Sequence, residues 1–225
     1  MVDSLEMENP ADRRPLKSRD TAWARAAATW LAQRGVTPNA ISLGSIACGG
    51  LALVAFIGTR TTSWEPVRAA FLVLAIVAMQ CRLLCNLLDG MVAVEAGAGV
   101  GKFGEIYNDL PDRVADVLIF LGAGICTGGT EGPILGLAAA VGCLMTAYVR
   151  VLGKSMGARS HFVGPMAKQH RMAVMSVACL VGCGVVFVGR YLHVWMQVPL
   201  YVVCVGCVVT VIRRLQLIAG DLRSA

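Results

Sequence analysis

Residues 86–116 contain the stretch that decides how the chain is interpreted, NLLDGMVAVEAGAGVGKFGEIYNDLPDRVAD. It places acidic and amide side chains at the end of one apolar stretch and at the start of the next. On insertion scales an ionised aspartate at the centre of a membrane helix costs about 2.5–3.5 kcal/mol, so Asp89, Asp112 and Asp116 would together cost about 8–10 kcal/mol. A bound divalent cation facing an aqueous cavity would offset this cost. The segment therefore predicts a metal site at the edge of a membrane.

The composition of the whole chain supports a membrane protein. Of its 225 residues, 56% are hydrophobic and 15% are charged, and the mean hydropathy is +0.67. A soluble domain carries about 25% charged residues. Six apolar stretches are close to the length needed to cross a bilayer, and they cover residues 40–58, 68–88, 106–126, 132–152, 172–190 and 196–218. We expect an all-α membrane protein with six transmembrane helices.

The N-terminal residues have a different pattern, which divides the chain. Trp23, Trp30 and Leu31 recur at helical spacing among arginines, which is typical of an amphipathic helix lying on the membrane surface. A flexible leader is the alternative. We expect no cleaved signal peptide, because no apolar core follows the basic residues. The expected parts are a polar leader at 1–17, the interfacial helix at 18–34, the six-span domain at 35–218 and a cytoplasmic tail at 219–225.

Basic residues predict the orientation of the spans. They concentrate before the first span, between the fourth and fifth, and after the last. The positive-inside rule then places both termini and the 86–116 segment on the cytoplasmic side of a bacterial-type inner membrane. The net charge of +6 is explained by this topology and by lipid headgroups, so we expect no nucleic-acid partner. The nine cysteines lie in or beside apolar stretches and are interpreted as packing residues rather than zinc ligands.

The polar residues of the deciding segment fall on two helical faces. One face is spaced i, i+3, i+7 and consists of Asn86, Asp89 and Ala93. The other steps by four residues and consists of Gly104, Asn108, Asp112 and Asp116. Two such faces brought together form a cluster of oxygen ligands, which suits Mg²⁺ or Mn²⁺. The alternative is structural, since a single membrane aspartate could pair with Arg113 or Arg82.

The segment also resembles the signature of the CDP-alcohol phosphatidyltransferase family. That signature reads Asp-x-x-Asp-Gly-x-x-Ala-Arg, then eight residues, then Gly-x-x-x-Asp-x-x-x-Asp. In this chain Asn86 and Asn108 stand at the first and third aspartates, Val94 replaces the arginine, and nine residues precede Gly104. The helix entry Val36-Thr-Pro-Asn39 is similar to the family as well. The resemblance covers about residues 34–215.

The resemblance implies a membrane transferase of phospholipid biosynthesis. Such enzymes move a phosphatidyl group from a CDP-diacylglycerol-type donor to an alcohol acceptor and release CMP. By resemblance Asp112 is the catalytic base. The divalent metal, Mg²⁺ or Mn²⁺, would be held by Asn86, Asp89, Asn108 and Asp112. The CDP donor would approach Gly90, Ala93 and Gly104, where small residues leave room. Membrane lipids and a second copy of the chain, forming a homodimer, are the other expected partners. The acceptor is not identified.

The two asparagines lead to an expectation about metal affinity. They keep an oxygen ligand but remove two negative charges, so we expect weaker metal binding, or one tightly held ion with a second recruited by substrate. Asp116 is a candidate auxiliary acid, because it lies on the same face as Asp112. Two tight ions in the absence of donor would contradict this expectation.

A second polar patch spans residues 150–171 and is rich in basic side chains. Arg159, Lys168 and Arg171 are its candidates for binding an acceptor or a phosphate. The alternative is ordinary positive-inside topology, which would explain the charge by itself.

Two other functions fit an acidic membrane segment. A cation- or proton-coupled transporter also carries acidic residues within its spans. A catalytically inactive family member could serve as a membrane scaffold. Metal-dependent release of CMP from a CDP-lipid separates the enzyme from both alternatives.

Overall fold

A computed structural model describes residues 21–95, 104–188 and 192–224, except for the side chains of residues 104, 105, 108, 192 and 193. The described residues form helices and connecting turns, without strands, which confirms the predicted all-α class. The helices are α1 (Ala22–Gln33), α2 (Pro38–Thr61), α3 (Glu65–Glu95), α4 (Gly104–Thr127), α5 (Glu131–Ser155), α6 (Lys168–Val185) and α7 (Leu192–Ser224), and a 3₁₀ turn (Val186–Val188) extends α6. The predicted leader at 1–17 lies outside the described residues.

The six long helices occupy the six predicted apolar stretches. Among the described residues, α2, α3, α5, α6 with its 3₁₀ extension, and α7 are long and apolar enough to cross a membrane. The remaining long helix, α4, has 24 residues. It carries Asp112, Arg113 and Asp116 around its middle, so its apolar part is shorter than that of its neighbours. The acidic residues are therefore the feature that sets α4 apart.

The helix ends show how local sequence sets the boundaries. The Thr37 side chain accepts a hydrogen bond from the Ala40 amide at 3.2 Å, and Pro38 occupies the first turn of α2. Thr37-Pro38-Asn39 was the predicted helix entry, so this prediction is confirmed. The final helix runs further than the apolar pattern suggests. It continues to Ser224, so residues 219–224 of the expected tail are helical.

Small residues allow the helices to approach closely around the apolar core. Phe56, Met79 and Phe120 are fully buried at its centre. At the crossing of α4 and α5, a Cβ added to Gly124 would lie 2.5 Å from the carbonyl oxygen of Gly132. Backbone contact of this kind is common where membrane helices pack. It fixes the position of α4, the helix that carries Asp112.

Replacing Gly124 with alanine should therefore destabilise the protein. The added methyl group meets backbone rather than a flexible side chain, and overpacking of this kind costs about 1–3 kcal/mol. Gly50→Ala is the matched control, because a Cβ there has nothing within 4 Å. Thermal denaturation in detergent micelles should show a lower melting temperature for Gly124→Ala alone. Equal melting temperatures for the two variants would contradict this account of the crossing.

Helix α1 lies within the predicted interfacial segment at 18–34. It packs against α3, and buried Ala28 contacts the cluster that includes Ile41 and Val92. Trp23 and Trp30 are about half exposed, and the Arg34 guanidinium lies 4.1 Å from the Trp30 ring centroid. An apolar face against the bundle and an exposed aromatic face suit a membrane surface. That location stays a prediction.

Candidate functional site

A cavity of about 440 Å³ opens among α3, α4, α5, α6 and α7. We call it the basic cavity, because five of the side chains that line it are basic: Arg113, Arg150, Lys168, Arg171 and Arg214. Asn86, Asp109 and Asp112 also line it, with Trp23 and Phe162 as its aromatic residues. Two predicted metal ligands and two predicted anion-binding residues thus share one cavity.

Three helices meet at Lys168, the first residue of α6. Its ammonium group donates to Asn86 Oδ1 on α3 and to Asp112 Oδ2 on α4. The Asn86 amide nitrogen donates to the Arg82 carbonyl at 2.9 Å, which leaves its oxygen directed at Lys168. Two oxygens from adjacent helices therefore converge on one positive charge. Such a donor set also fits a hard divalent cation.

The other two predicted metal ligands are placed differently. Asp89 is buried one turn after Asn86, and its carboxylate accepts from Ser42 Oγ at 2.8 Å and from the Gly90 amide at 2.6 Å. It does not line the basic cavity, although it lies close enough to Asp112 and Lys168 to interact electrostatically with both. The side chain of Asn108 lies outside the described residues.

The predicted donor-binding residues lie beside Asp89. Gly90 and Ala93 are half-buried on α3 and do not line the basic cavity. Gly104 begins α4, and its surroundings lie outside the described part of the chain. Within that described part, histidine, cysteine, aspartate and glutamate residues form no group of three suited to a metal. Asn86 is not of those types, so a site here depends on amide as well as carboxylate oxygens.

Asp116 is held by two buried arginines. Its carboxylate lies 2.6 Å from Arg82 Nη2 and 3.2 Å from Arg171 Nη2. Arg82 also donates to the Asp112 carbonyl at 3.1 Å and lies 3.6 Å from Asp112 Oδ1. All three members of this Arg82–Asp116–Arg171 network are buried. Asp116, the candidate auxiliary acid, is thus an ion-pair partner here, the alternative that the sequence left open.

The basic patch divides into two parts. Lys168 and Arg171, two of the predicted acceptor-binding residues, line the basic cavity. Arg159 does not; its side chain is 86% exposed and pairs with Asp221 at 3.1 Å. The connection before α6 is anchored to α7, because the Met166 amide donates to Thr210 Oγ1 at 3.0 Å. With the connection in this position, Arg159 lies outside the cavity and Lys168 lies in it.

Four basic residues near the site are not among the predicted site residues, and the sequence suggests Arg82 and Arg113 only as ion-pair partners of an aspartate. Arg150 and Arg113 both lie 2.9 Å from Asp109 Oδ1 at the wall of the cavity. Arg82 and Arg214 are buried basic residues inside apolar helices. Ionisable residues at such positions are costly, and their presence alone was a usable signal of a functional region.

Comparison with known proteins identifies a similar enzyme. No family model matches the sequence. A phosphatidylinositol phosphate synthase from Streptomyces avermitilis is 25% identical over 196 residues, which cover 83% of this chain and 74% of the relative.

The fold matches two crystal structures of Mycobacterium tuberculosis phosphatidylinositol phosphate synthase, each 20% identical in sequence. The structure in complex with manganese and citrate has a TM-score of 0.65 and covers 87% of this chain and 88% of that one. The structure with CDP-DAG bound has a TM-score of 0.64, with 88% and 94% covered. At this identity the structural likeness establishes the fold.

Proposed function

We propose that this chain, a homologue of phosphatidylinositol phosphate synthase with the fold of that enzyme, transfers a phosphatidyl group from a CDP-linked lipid to an alcohol and releases CMP. The homology and the shared fold confirm the resemblance to the CDP-alcohol phosphatidyltransferase family. The corresponding role is a step of phospholipid biosynthesis in a multi-pass membrane protein.

One observation of the site carries this proposal. Oxygens of Asn86 and Asp112, from α3 and α4, converge on the Lys168 ammonium group in a cavity lined by five basic side chains, of which Lys168 is one. A transferase that joins an anionic donor to an acceptor needs both features. The two oxygens position a positive charge next to the reacting phosphate. The basic side chains of the cavity bind the negatively charged substrates.

Asp112 is our candidate for the general base. Its carboxylate takes the proton of the acceptor hydroxyl as that oxygen attacks the lipid-linked phosphorus of the donor. The new bond joins the acceptor oxygen to this phosphorus. The bond from the phosphorus to the bridging oxygen breaks, and its electron pair leaves with CMP. Lys168 and Arg82 hold the Asp112 side chain in place before the reaction.

The metal is assigned to the residues of the family signature. We propose that Asn86, Asp89, Asn108 and Asp112 would hold a Mg²⁺ or Mn²⁺ ion through oxygen atoms. When bound, the ion stabilises negative charge on the attacking and leaving oxygens. The small residues Gly90, Ala93 and Gly104 remain our candidates for the approach of the CDP group.

The charge of the basic cavity indicates the acceptor class. Five basic side chains line it against the acidic residues Asp109 and Asp112. Arginine guanidinium groups bind phosphate oxygens in a planar, two-pronged geometry. We therefore propose a phosphorylated alcohol as acceptor, rather than a neutral one.

Arg150 and Arg159 provide a matched test of this acceptor site. Arg150 lines the cavity, whereas Arg159 is exposed and lies outside it. Arg150→Ala should raise the KM for a phosphorylated acceptor about tenfold, since a hydrogen bond to a charged group contributes about 1.5–3 kcal/mol. Arg159→Ala should leave that KM nearly unchanged. Steady-state kinetics with varied acceptor checks both, and an equal effect of the two variants would refute the assignment.

Lipid product analysis tests the function itself. Purified protein in micelles is incubated with CDP-diacylglycerol, Mn²⁺ and either an inositol phosphate or unphosphorylated inositol, and the lipid phase is examined by mass spectrometry. We expect a lipid whose mass equals the phosphatidyl group joined to the phosphorylated acceptor. A transporter or an inactive scaffold would give no new lipid, and a product from the neutral acceptor alone would refute the anionic acceptor.

We also propose an orientation of the chain in the membrane. Basic residues near both termini support cytoplasmic termini and a cytoplasmic site in a bacterial-type inner membrane. A homodimer remains a proposal based on the family resemblance.

A further inference from the structure

Lys168 lies between two side chains that the family resemblance assigns as metal ligands. Its ammonium group is held between Asn86 Oδ1 and Asp112 Oδ2, which stand at the first and fourth aspartate positions of the signature. The side chain is 19% exposed, so it lies inside the protein. The two oxygens belong to different helices, and Lys168 is 82 and 56 residues away from them along the chain. The contact is therefore a tertiary contact between distant segments, not one between residues close in sequence.

Asn86 can bind Lys168 and a backbone carbonyl at the same time, whereas an aspartate could bind only Lys168. Its amide nitrogen donates to the Arg82 carbonyl at 2.9 Å, so its oxygen is directed at Lys168. An aspartate at this position has no donor for that carbonyl and would place an oxygen against it. The asparagine thus satisfies a backbone acceptor and a cation at once. This geometry gives the substitution at position 86 a structural purpose.

We propose that Lys168 is a resident cation of this site, taking the position between Asn86 and Asp112 that a divalent ion would otherwise fill. Of the four proposed metal ligands, Asn86 would then bind Lys168, and a single divalent ion would lie beside Lys168 on the remaining ligands, where the family pattern of four carboxylates would hold two ions. The proposal rests on the proposed function for the role of that ion. Lys168 would then act next to the reacting groups as well as lining the basic cavity.

The charge of Lys168 should lower the affinity of the site for divalent ions. An ammonium group in contact with Asp112 repels a second cation at close range, and the repulsion is strong where side chains are buried. Asn86 supplies no charge to compensate. Removing the lysine charge should therefore make the site bind divalent ions more tightly.

The experiment measures Mn²⁺ binding by electron paramagnetic resonance on the full chain in micelles, without donor. Lys168→Met should bind Mn²⁺ at least about tenfold more tightly than the unsubstituted protein, because a unit charge in direct contact is removed. Lys168→Arg keeps the charge and should stay near the original affinity. Lys154→Met is the matched control outside the basic cavity and should also stay there.

Unchanged affinity in Lys168→Met, or an equal rise in Lys168→Arg, overturns the proposal. The unsubstituted protein gives a second measurement that needs no variant to fold. It should show the spectrum of an isolated Mn²⁺ ion, and the spectrum of two coupled ions overturns the proposal. No CDP-lipid enters this assay, so the result stands apart from the proposed function. If the unsubstituted protein releases CMP but Lys168→Met binds Mn²⁺ no more tightly, the proposed role of Lys168 is refuted and the proposed function stands.

Discussion

Replacing Asp112 with asparagine should lower the rate of CMP release by about 10³-fold or more. General base catalysis contributes about 10²–10⁴-fold, and this variant also loses a charged oxygen of the proposed metal site. Asparagine keeps the shape of the side chain and an oxygen for Lys168. It cannot accept the proton of the acceptor hydroxyl, so the loss should appear mainly in kcat.

Asp221→Asn is the control for this prediction. Asp221 pairs with Arg159 and His161 and does not line the basic cavity, so the rate should stay close to that of the unsubstituted protein. CMP release is followed by chromatography at saturating donor and acceptor. If Asp112→Asn kept a tenth or more of the original rate, Asp112 would not be the base.

Replacing Asp116 with alanine should destabilise the protein by about 3–5 kcal/mol, the usual cost of removing one partner of a buried ion pair. Asp116 is fully buried between Arg82 and Arg171. Among the described residues, two Arg82 nitrogens, Nε and Nη1, already have no hydrogen-bond partner. Loss of the carboxylate would leave the Arg82 charge with Asp112 alone and would also leave Arg171 unpaired with an acid.

Asp221→Ala is the matched control for stability. Asp221 is 15% exposed and also pairs with His161, but its Arg159 partner is 86% exposed, so we expect a smaller loss of stability than for Asp116→Ala. Unfolding by titration of mild micelles with sodium dodecyl sulfate, followed by tryptophan fluorescence, gives the free energy of unfolding for both variants. Equal losses in the two variants would show that the buried network has no special structural role.

The positions of the helices could be predicted from the sequence, because a membrane imposes a strong constraint. A backbone crossing hydrocarbon must satisfy its own hydrogen bonds, so apolar stretches of sufficient length become helices. The start of α2 at Pro38 agrees with capping chemistry, because Thr37 caps the helix and Pro38 occupies its first turn. The spacing of Asn86 and Asp112 predicted that α3 and α4 bring these side chains close together, and both contact Lys168.

The partners of the charged residues could not be predicted in this way. Periodicity assigns a residue to a face of its helix but does not say which helix lies opposite. Asp116 shares a face with Asp112, yet the neighbouring helices present arginines to it. Arg159 and Lys168 belong to one basic patch, and only the anchoring of the loop against α7 separates them. These outcomes depend on tertiary packing between distant segments.

The most direct test of the central claim is the metal dependence of CMP release. Purified protein is mixed with CDP-diacylglycerol and a phosphorylated acceptor, and CMP is measured in the presence of a chelator and after Mn²⁺ or Mg²⁺ is restored. We predict that CMP appears only with metal and acceptor together, in an amount equal to the new lipid. CMP that forms equally well in the chelator, or no CMP under any of these conditions, would contradict the account.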